Sequence, residues 1–534
     1  MKREHLILIA IIVLGAFLRF YRLDGEYVHA LDSYRILSDA VRVLSFEAPK
    51  YVSAWPGRSI AIAPFLLIKN NELIAQIGIA VYGTALISLS YFLISRYFKV
   101  SSTVALLFSG LVAVNPKLVI MSKVVIWDII ILFFIVAAII AAKSLAEKKS
   151  LLFSVFFALL AFFICYMKPT NLIFALIAFF YLSIKRGLNS IEFDKIKLYM
   201  KHNTDLLASL FIFLFLYGLN ILVHPSLASS IASGGGFFEN AYYSGNLKAT
   251  IRLLAVPLNS PTTNMDFIGI EQMTPLLAFL GMFQVTAIIL GIKRGVIIAR
   301  NETILLLGIA FAYAALFLGY PSWVGRQLLP SLLIMILFLV LGINEIYSFF
   351  LKKRKLIERC FLLYLAIVLI ISASYSTYTS FSQVSIWGSN ESKTRNFIVV
   401  DPNDMRWLET SCEEVDLIVT GYGAWCEYVL GKDKSEEIVI NFFDFDREYE
   451  NSPENQYILV EIVKGYLQEG KTVWFLSGWI DGYNYANMKR YASALEENFR
   501  LVKIYQGNKK FVDKQGVVRN SFIIYNIETI EDQK

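Results

Sequence analysis

Eleven long apolar runs constrain the fold of this chain more than any other feature. About 20 mainly apolar residues cross a bilayer as a helix, because a backbone in hydrocarbon must satisfy its own hydrogen bonds. The chain has 534 residues, of which 56% are hydrophobic, and a mean hydropathy of +0.56, far too apolar for a soluble protein of this size. We predict a polytopic α-helical membrane protein with about 11 transmembrane helices, at 5–22, 73–95, 101–121, 124–143, 150–167, 170–185, 204–223, 273–292, 301–319, 327–350 and 357–378.

The basic residues between these runs predict the orientation of the chain. Cytoplasmic loops of membrane proteins carry an excess of lysine and arginine. Alternate loops of this chain are basic, namely Arg96–Lys99, Lys143–Lys149, Lys185–His202, Lys293–Arg300 and Lys352–Arg359. We therefore expect a multi-pass protein of the cell membrane with a cytoplasmic N-terminus. The long loops 23–72 and 224–272, and the C-terminal part, are then expected outside.

The charge balance divides the chain into two parts. Residues 1–395 hold 35 Lys+Arg against 19 Asp+Glu, whereas residues 396–534 hold 15 against 24. Cytoplasmic loops account for the excess of basic residues, which argues against nucleic acid as a partner. We predict a transmembrane domain over 1–380 and a separate extracytoplasmic domain over 396–534.

The C-terminal part has the pattern of a soluble α/β domain. Short apolar runs indicate buried strands, and helical spacing occurs between them. The strands are predicted at Val415–Thr420, Glu437–Asn441 and Thr472–Ser477, the helices at Asn455–Gln468 and Asn487–Asn498, and a late β pair at Phe499–Tyr505 and Ser521–Tyr525. Cys412 and Cys426 both fall in this part, and a disulfide and two buried thiols stay equal alternatives.

The two long outer loops carry local signals of their own. Residues 33–46 have apolar residues on one helical face, which predicts an amphipathic helix lying along the membrane surface. The apolar piece 60–68 is too short to span, and we expect it at the interface or dipping into the protein. Loop 224–272 combines three glycines, Gly234–Gly236, with aromatic residues, so a flexible external loop and a substrate-covering loop both stay open.

Two acidic residues stand at the predicted outer ends of apolar runs. Asp32 follows the first run, and Asp128 interrupts the run Val124–Ile130. Acids at a membrane boundary cost free energy and usually stay for a functional reason, so Asp32 and Asp128 are both candidate catalytic residues. The structural alternatives are that Asp32 caps the helix that follows it and that Asp128 pairs with Lys123 at a helix start.

The order of several short motifs resembles the GT-C superfamily of membrane glycosyltransferases over roughly residues 5–350. The similarity is greatest to the protein O-mannosyltransferase and aminoarabinose-transferase branch, whose mannosyltransferases use dolichyl-phosphate-mannose. The motifs are Leu18-Arg19-Phe20-Tyr21-Arg22-Leu23-Asp24, Asp32-Ser33-Tyr34-Arg35-Ile36-Leu37, Trp55-Pro56-Gly57-Arg58-Ser59, Asn115-Pro116, Met167-Lys168-Pro169 and Gly325-Arg326-Gln327-Leu328-Leu329-Pro330.

The resemblance implies a hexosyl- or pentosyltransferase with a polyprenyl (dolichyl-type) phosphate donor. Its acceptor is expected to be a protein, glycan or lipid outside the cytoplasm. Asp32 occupies the position of the family's catalytic acid in the first outer loop. The chain has Ser33 where the family often has a second acid, and Gln327 where the family has tyrosine, so those two roles stay open.

The chemistry of sugar transfer asks for the same groups. An acceptor hydroxyl loses a proton as it attacks the anomeric carbon, and a carboxylate such as Asp32 can accept it. The departing lipid phosphate needs positive charge, for which Arg58, Lys168 and Arg326 are candidates, although each is equally well a snorkelling anchor. His29 and Tyr34 are candidates for orienting Asp32 or binding the acceptor. A direct displacement inverts the anomeric configuration.

The metal requirement and the competing functions stay open. Two carboxylates can hold a divalent cation beside a phosphate, but four scattered histidines argue against a histidine-based metal site, and no other cofactor is predicted. The nearest rival within the superfamily is an oligosaccharyltransferase. The fragment Trp479-Ile480-Asp481-Gly482-Tyr483 of this chain resembles the signature of that family only by chance. The rival from another class is a transporter or lipid-linked-sugar flippase, although the uncharged middles of the spans favour chemistry at the interface. A receptor function leaves the outer acids and cations unexplained.

Overall fold

The structure is a computed structural model. It describes residues 3–21, 23, 32–51, 56–187, 202–223, 250, 254, 257–258, 275–318, 328–351, 402–421, 423–442, 445, 454–477, 486–507, 510–512, 518–520 and 522–530. The predicted span 357–378 lies outside these residues.

The described part of residues 3–351 is helical. Apolar side chains from almost all of these helices form its core. The helices are α1 (Arg3–Phe20), α2 (Asp32–Leu44), α3 (Gly57–Leu66), α4 (Glu72–Phe98), α5 (Ser102–Val114), α6 (Pro116–Met121), α7 (Asp128–Glu147), α8 (Leu151–Met167), α9 (Leu172–Lys185), α10 (Thr204–Val223), α11 (Pro275–Leu318) and α12 (Leu329–Leu351).

Five of the described helices contain apolar segments long enough to cross a membrane. These segments are Glu72–Phe98, Asp128–Glu147, Thr204–Val223, Met282–Leu316 and Leu329–Phe349. Shorter apolar helices accompany them at Ser102–Val114, Leu151–Met167 and Pro169–Lys185. The predicted class, a multi-pass helical membrane protein, agrees with this arrangement, and the number of spans stays a prediction.

The predicted span 101–121 is divided into two helices. α5 ends before Asn115, whose extended backbone (φ −60°, ψ 122°) precedes the proline that opens α6. A proline disfavours the helical conformation in the residue before it. Asn115 then caps α6, because its Oδ1 accepts a hydrogen bond from the backbone N–H of Leu118 at 3.2 Å.

A break in α11 separates the two spans predicted at 273–292 and 301–319. Ala299 has a non-helical backbone (φ −151°, ψ 67°). A Cβ placed on Gly295 would lie 2.7 Å from Oγ1 of Thr303, although eight residues along a straight helix rise about 12 Å. The chain therefore folds back on itself within the basic segment Lys293–Arg300.

The segments predicted to be cytoplasmic meet at one end of the helices. Arg96 pairs with Glu147 at 3.2 Å, Lys185 with Glu302 at 2.9 Å, and Arg186 with Asp205 at 2.9 Å. These residues lie at or near the ends of α4, α7 and α9 and the start of α10. The first residue of α7, Asp128, lies at the opposite end.

The amphipathic helix predicted over residues 33–46 exists as α2, and its position relative to the membrane surface stays a prediction. Protein covers its apolar face, because Tyr34, Ile36, Leu37 and Ala40 are at most 1% exposed. Its polar face is buried as well, because Ser38 binds Glu427 of the C-terminal part at 3.0 Å. An amphipathic pattern suits a membrane surface and a protein interface equally. The neighbouring short piece forms α3, which dips into the protein.

The C-terminal part has a mixed sheet flanked by helices. The helices are α13 (Pro402–Ser411), α14 (Gly423–Leu430), α15 (Lys432–Ile438), α16 (Asn455–Gln468) and α17 (Ala486–Asn498). The strands are β1 (Leu417–Thr420), β2 (Val439–Asn441), β3 (Val473–Ser477), β4 (Phe499–Gln506), β5 (Lys510–Val512), β6 (Val518–Asn520) and β7 (Ile523–Thr529).

The order of the main sheet is β2-β1-β3-β7-β4. β1 pairs in parallel with β2 and β3, whereas β7 pairs antiparallel with β3 and β4. The predicted strands and the late β pair are confirmed, and the short β5-β6 ribbon was not predicted. β1 and β3 are buried throughout, as their continuous apolar runs indicate.

The two cysteines of this part are free thiols. Cys412 and Cys426 are buried, and burial, with the neighbouring Cys412, raises the pKa of the Cys426 thiol to about 12. Of the two alternatives, the structure has the buried thiols. A thiol with so high a pKa is unreactive while it stays buried.

Candidate active site

Asp128 lies at the start of α7 and lines a narrow cleft between helices. Asp128 is 7% exposed, and the positive end of the helix dipole favours a carboxylate in the first turn. The cleft is also lined by Lys168, Thr170, Asn171, Tyr313 and Pro330. Its volume of about 20 Å³ admits one or two water molecules.

Lys168 enters this cleft from the turn that ends α8. Its backbone is extended (φ −162°, ψ 121°), because the residue that follows is a proline. Asn171 holds the turn, since its Nδ2 donates to the carbonyl of Ile164 at 2.9 Å. The hydroxyl of Tyr313 in turn donates to Oδ1 of Asn171 at 2.7 Å. The turn therefore carries Lys168 to the side of Asp128.

Arg58 connects the segments that carry Asp128 and Lys168. Its Nε donates to the carbonyl oxygen of Met167 at 2.6 Å. Its guanidinium carbon lies 3.7 Å from the ring centroid of Trp127, within the range of a cation–π contact. A Cβ on Gly57 would lie 2.9 Å from the backbone nitrogen of Met167, so glycine there allows α3 to approach α8 closely.

The start of α2 lies against the connection that leads into α7. The hydroxyl of Ser33 donates to the carbonyl oxygen of Val125 at 2.6 Å, and Ser33 is fully buried. Val125 stands three residues before Asp128. The backbone of Asp32, the first residue of α2, is therefore placed at the same end of the helices as Asp128, Arg58 and Lys168. His29, Arg326 and the side chain of Asp32 lie outside the described residues.

Lys117 is a charged residue of this region that the sequence analysis missed. It lies in α6, is 4% exposed, and its ammonium group interacts electrostatically with Asp128. Lys123, the partner suggested for Asp128, donates through Nζ to the carbonyl of Tyr21 at 2.7 Å. The motif Asn115-Pro116 could have pointed to Lys117, because proline favours the first position of a helix and Lys117 then lies in the first turn.

A short piece of the second outer loop is anchored at the same end. The Nδ2 of Asn115 donates to the carbonyl of Pro257 at 3.1 Å. The backbone N–H of Leu258 donates to Oε1 of Gln284 at 3.1 Å. Both residues of the loop are buried. Two amides of the helical body therefore hold residues 257–258 in place.

Tyr34 lies in the contact between α2, α4 and the C-terminal part. Its hydroxyl donates to Oε1 of Glu72 at 3.2 Å. Its ring stacks on Trp425 with a centroid distance of 5.6 Å and lies 5.5 Å from the ring of Tyr428. The structure thus surrounds Tyr34 with protein side chains of three elements.

Glu427 of α14 is the centre of the contact with α2. It accepts hydrogen bonds from Ser38 at 3.0 Å and from the Tyr51 hydroxyl at 2.8 Å, and it forms an ion pair with Arg42. Burial raises the pKa of the Glu427 carboxyl, but the bonds from Arg42 and Tyr51 outweigh burial and lower it below its ordinary value. The carboxylate therefore stays ionised although it is buried.

Most charged groups that the structure describes around Asp128 are cations. Within the described residues, no three His, Cys, Asp or Glu side chains gather where they could hold a metal ion. Lys168 lines the same cleft as Asp128, Lys117 interacts electrostatically with it, and Arg58 lies over the ring of the preceding residue, Trp127. Divalent cations prefer several oxygen ligands, whereas a cluster of cations around one carboxylate suits an anionic group.

Solved structures share the fold of the whole chain, although no protein-family model and no curated protein sequence matches it. ArnT from Cupriavidus metallidurans bound to undecaprenyl phosphate matches with a TM-score of 0.57 and 10% identity, over 98% of this chain and 97% of that chain. The archaeal oligosaccharyltransferase AglB from Archaeoglobus fulgidus, in complex with an inhibitory peptide and a dolichol-phosphate, matches with a TM-score of 0.54 and 12% identity, over 97% and 74%.

The arabinofuranosyltransferase AftD from Mycobacteria matches with a TM-score of 0.50 and 11% identity, over 99% of this chain and 40% of that chain. The three proteins thus match at similar TM-scores and low identity, which establishes a shared fold and not a shared function. The chain has several apolar helices long enough to cross a membrane, and it shares the fold of ArnT, AglB and AftD.

Proposed function

We propose that this protein transfers a sugar from a polyprenyl (dolichyl-type) phosphate to a protein, glycan or lipid acceptor outside the cytoplasm. The observation that carries the proposal is the hydrogen bond from Ser33 to Val125, which places the start of α2 beside the connection to Asp128. Arg58 brings Lys168 to the same place. A catalytic acid and phosphate-binding cations are the groups that this reaction requires.

Asp32 acts in this proposal as the base. The acceptor oxygen attacks the anomeric carbon while Asp32 takes the hydroxyl proton, and the bond between the anomeric carbon and the phosphate oxygen breaks. The lipid phosphate leaves with the electron pair of that bond, so the transfer inverts the anomeric configuration. Asp128 keeps Lys117 and Lys168 in position, and Lys168, Arg58 and Arg326 face the negative charge that develops on the phosphate.

The extent of the structural matches favours the aminoarabinose-transferase and protein O-mannosyltransferase branch. The ArnT match covers almost all of both chains, whereas AglB has about a quarter of its length beyond the match. We propose that the chain has two domains, a catalytic transmembrane domain over 1–380 and a second domain over 396–534 on its outer side. The basic ends of α4, α7 and α9 then face the cytoplasm.

The experiment that tests the function is donor turnover by the purified protein in lipid nanodiscs. A membrane lipid extract labelled in the sugar supplies the polyprenyl-phosphate donors, and a membrane protein extract supplies acceptors. We expect labelled sugar on an acceptor and unlabelled polyprenyl phosphate as the second product. Movement of intact labelled donor across a vesicle membrane without its cleavage would instead identify a flippase.

Replacing Arg58 by lysine is expected to weaken donor binding. A lysine cannot bond to the Met167 carbonyl and also cover the Trp127 ring with a planar cation. A lysine that keeps one of these contacts is withdrawn from the phosphate, and the loss of one charge-assisted hydrogen bond to the donor phosphate, about 1.5 kcal/mol, corresponds to a rise of roughly tenfold in KM for the donor. The measurement is KM and kcat with labelled donor, with the exposed Arg500→Lys as the matched control. An unchanged KM in a folded Arg58→Lys protein would remove Arg58 from the site.

A further inference from the structure

A second cavity lies at the end of the helices opposite Asp128. α7 leads from Asp128 to Lys143 and α9 from the neighbourhood of Asn171 to Lys185, each over a rise of about 21 Å. Lys143 and Lys185 line this cavity, which has a volume of about 350 Å³ and is also lined by Tyr97, Lys99, Arg300 and Glu302. It is therefore distinct from the candidate active site and lies near the other face of the membrane.

The charge of the cavity is strongly positive. Four basic side chains line it against one acidic side chain, Glu302. The carboxylate of Glu302 is only 3% exposed and forms ion pairs with Lys143 and with Lys185 at 2.9 Å. It also accepts a hydrogen bond from the Tyr181 hydroxyl at 3.4 Å. The one acidic group of the lining is thus already engaged by two of the cations.

The other two cations, Lys99 and Arg300, are surplus to this network. Neither forms an ion pair with another described residue, and both are exposed at the cavity. Lys99 ends α4 in the left-handed conformation (φ 49°, ψ 37°). Arg300 follows the break at Ala299. Two interruptions of the helices therefore bring two uncompensated positive charges to the mouth of one cavity.

The surface beside the mouth is apolar. Val296, Ile297 and Ile298 immediately precede the break and are 42%, 65% and 40% exposed. Apolar side chains next to a basic cavity match the amphipathic structure of a phospholipid, with acyl chains against the helix and a charged group in the cavity. Basic pockets between helices on the cytoplasmic side of a membrane bind anionic head groups.

We infer that this cavity binds a phosphate group, carried by an anionic lipid or free in solution, at Lys99 and Arg300. The inference does not depend on sugar transfer. A cavity of about 350 Å³ lies within the size range of small-molecule sites. The attached Lys143–Glu302–Lys185 network supplies a rigid floor. A binding site on the cytoplasmic side would link the stability of the protein to the anionic lipid of that leaflet.

The test is retention of phosphatidylglycerol by the full-length protein, measured by native mass spectrometry against phosphatidylcholine. The test variant is Lys99→Gln/Arg300→Gln. Each charge-assisted hydrogen bond to the phosphate in the cavity contributes roughly tenfold in affinity, so we expect phosphatidylglycerol binding about 100-fold weaker. Lys148→Gln/Lys293→Gln removes the same charge from exposed positions at the same end of the helices and is expected to bind like wild type.

A second arm identifies the source of the phosphate. Inorganic phosphate is titrated into protein held in phosphatidylcholine nanodiscs, and the thermal midpoint is followed for wild type and both double variants. One outcome is that phosphate raises the thermal midpoint of wild type but not of Lys99→Gln/Arg300→Gln, while wild type does not retain phosphatidylglycerol. That outcome would assign the site to soluble phosphate. Equal lipid retention and equal phosphate response in all three proteins would overturn the inference. The variant Lys99→Arg/Arg300→Lys keeps both charges and is expected to restore binding.

Discussion

Asp32→Asn is expected to lower kcat for sugar transfer by roughly 10²- to 10⁴-fold, the range that a general base contributes. The amide has nearly the shape of the carboxylate but cannot accept the acceptor's proton. The KM for the donor should change little, because the proposed mechanism assigns binding of the donor phosphate to the cations Arg58 and Lys168. The measurement is kcat and KM with labelled polyprenyl-phosphate donor at saturating acceptor.

This substitution separates catalysis from helix capping. Asparagine caps a helix about as well as aspartate does, so Asp32→Asn leaves a capping role of Asp32 at the start of α2 intact. The exposed Asp433→Asn makes the same chemical change in α15 and is expected to keep wild-type kcat. An Asp32→Asn protein with wild-type kcat would mean that Asp32 is only a cap and that another group accepts the proton.

Glu427→Gln is expected to loosen the C-terminal part from α2 by about 3 kcal/mol. Breaking a buried ion pair by removing one partner commonly costs about 3–5 kcal/mol, because the remaining charge stays buried. Arg42 is 10% exposed and keeps Glu436 at 3.1 Å and Glu47 at 3.3 Å, which places the effect at the low end of that range.

The thiol of Cys426, the neighbour of Glu427, provides a direct measurement of this opening. It is fully buried and reacts only when α14 separates from its surroundings. An opening that is about 3 kcal/mol easier corresponds to a labelling rate roughly 100-fold faster, read by mass at the peptide that contains Cys426. Glu436→Gln removes a charge from the same network at a side chain that is 49% exposed, and we expect it to cost less than about 1 kcal/mol.

The pH dependence checks the same ion pair. The pKa of Glu427 is lower in the folded protein than its ordinary value of 4.5, so its contribution to stability is complete above that value. The contribution disappears as the pH falls through the lowered folded-state pKa. The difference in thermal midpoint between wild type and Glu427→Gln should therefore be constant above pH 4.5 and shrink below it. A difference that stays constant in acid would show that the carboxylate charge does not hold α2.

The two predictions together connect the C-terminal part with the candidate active site. Asp32 is the first residue of α2, and Glu427 contacts the same helix at Ser38 and Arg42, about 1.7 and 2.8 turns further along. A Glu427→Gln protein that opens more easily should also lose sugar transfer in proportion to the time it spends open. The C-terminal part then serves to position the base, in addition to any contact it makes with the acceptor.

Apolar run length and period were sufficient to predict most of the elements. The helices α4, α7 and α8 and the strands β1 and β3 lie where their apolar patterns indicate, because helix and strand are local consequences of which faces must be buried. The placement of Asp128 and Lys168 at one end of the helices also followed from the positions of the basic loops. The predicted span 101–121 was too long, because its apolar run continues through the break that Pro116 imposes after Asn115.

The sequence by itself determined that the chain is a helical membrane protein with an α/β part, and which charged residues stand at the ends of the helices. Only the tertiary structure decided which of those residues meet. The amphipathic pattern of α2 suits a membrane surface and a protein interface equally. The burial of its polar face depends on Glu427, 389 positions from Ser38. Tertiary structure likewise decides that Lys117 interacts with Asp128 and that Arg58 contacts both Trp127 and Met167. A polar group is buried without a large cost in free energy only where it finds a hydrogen-bond or ion-pair partner. No local sequence pattern encodes a partner that lies hundreds of residues away.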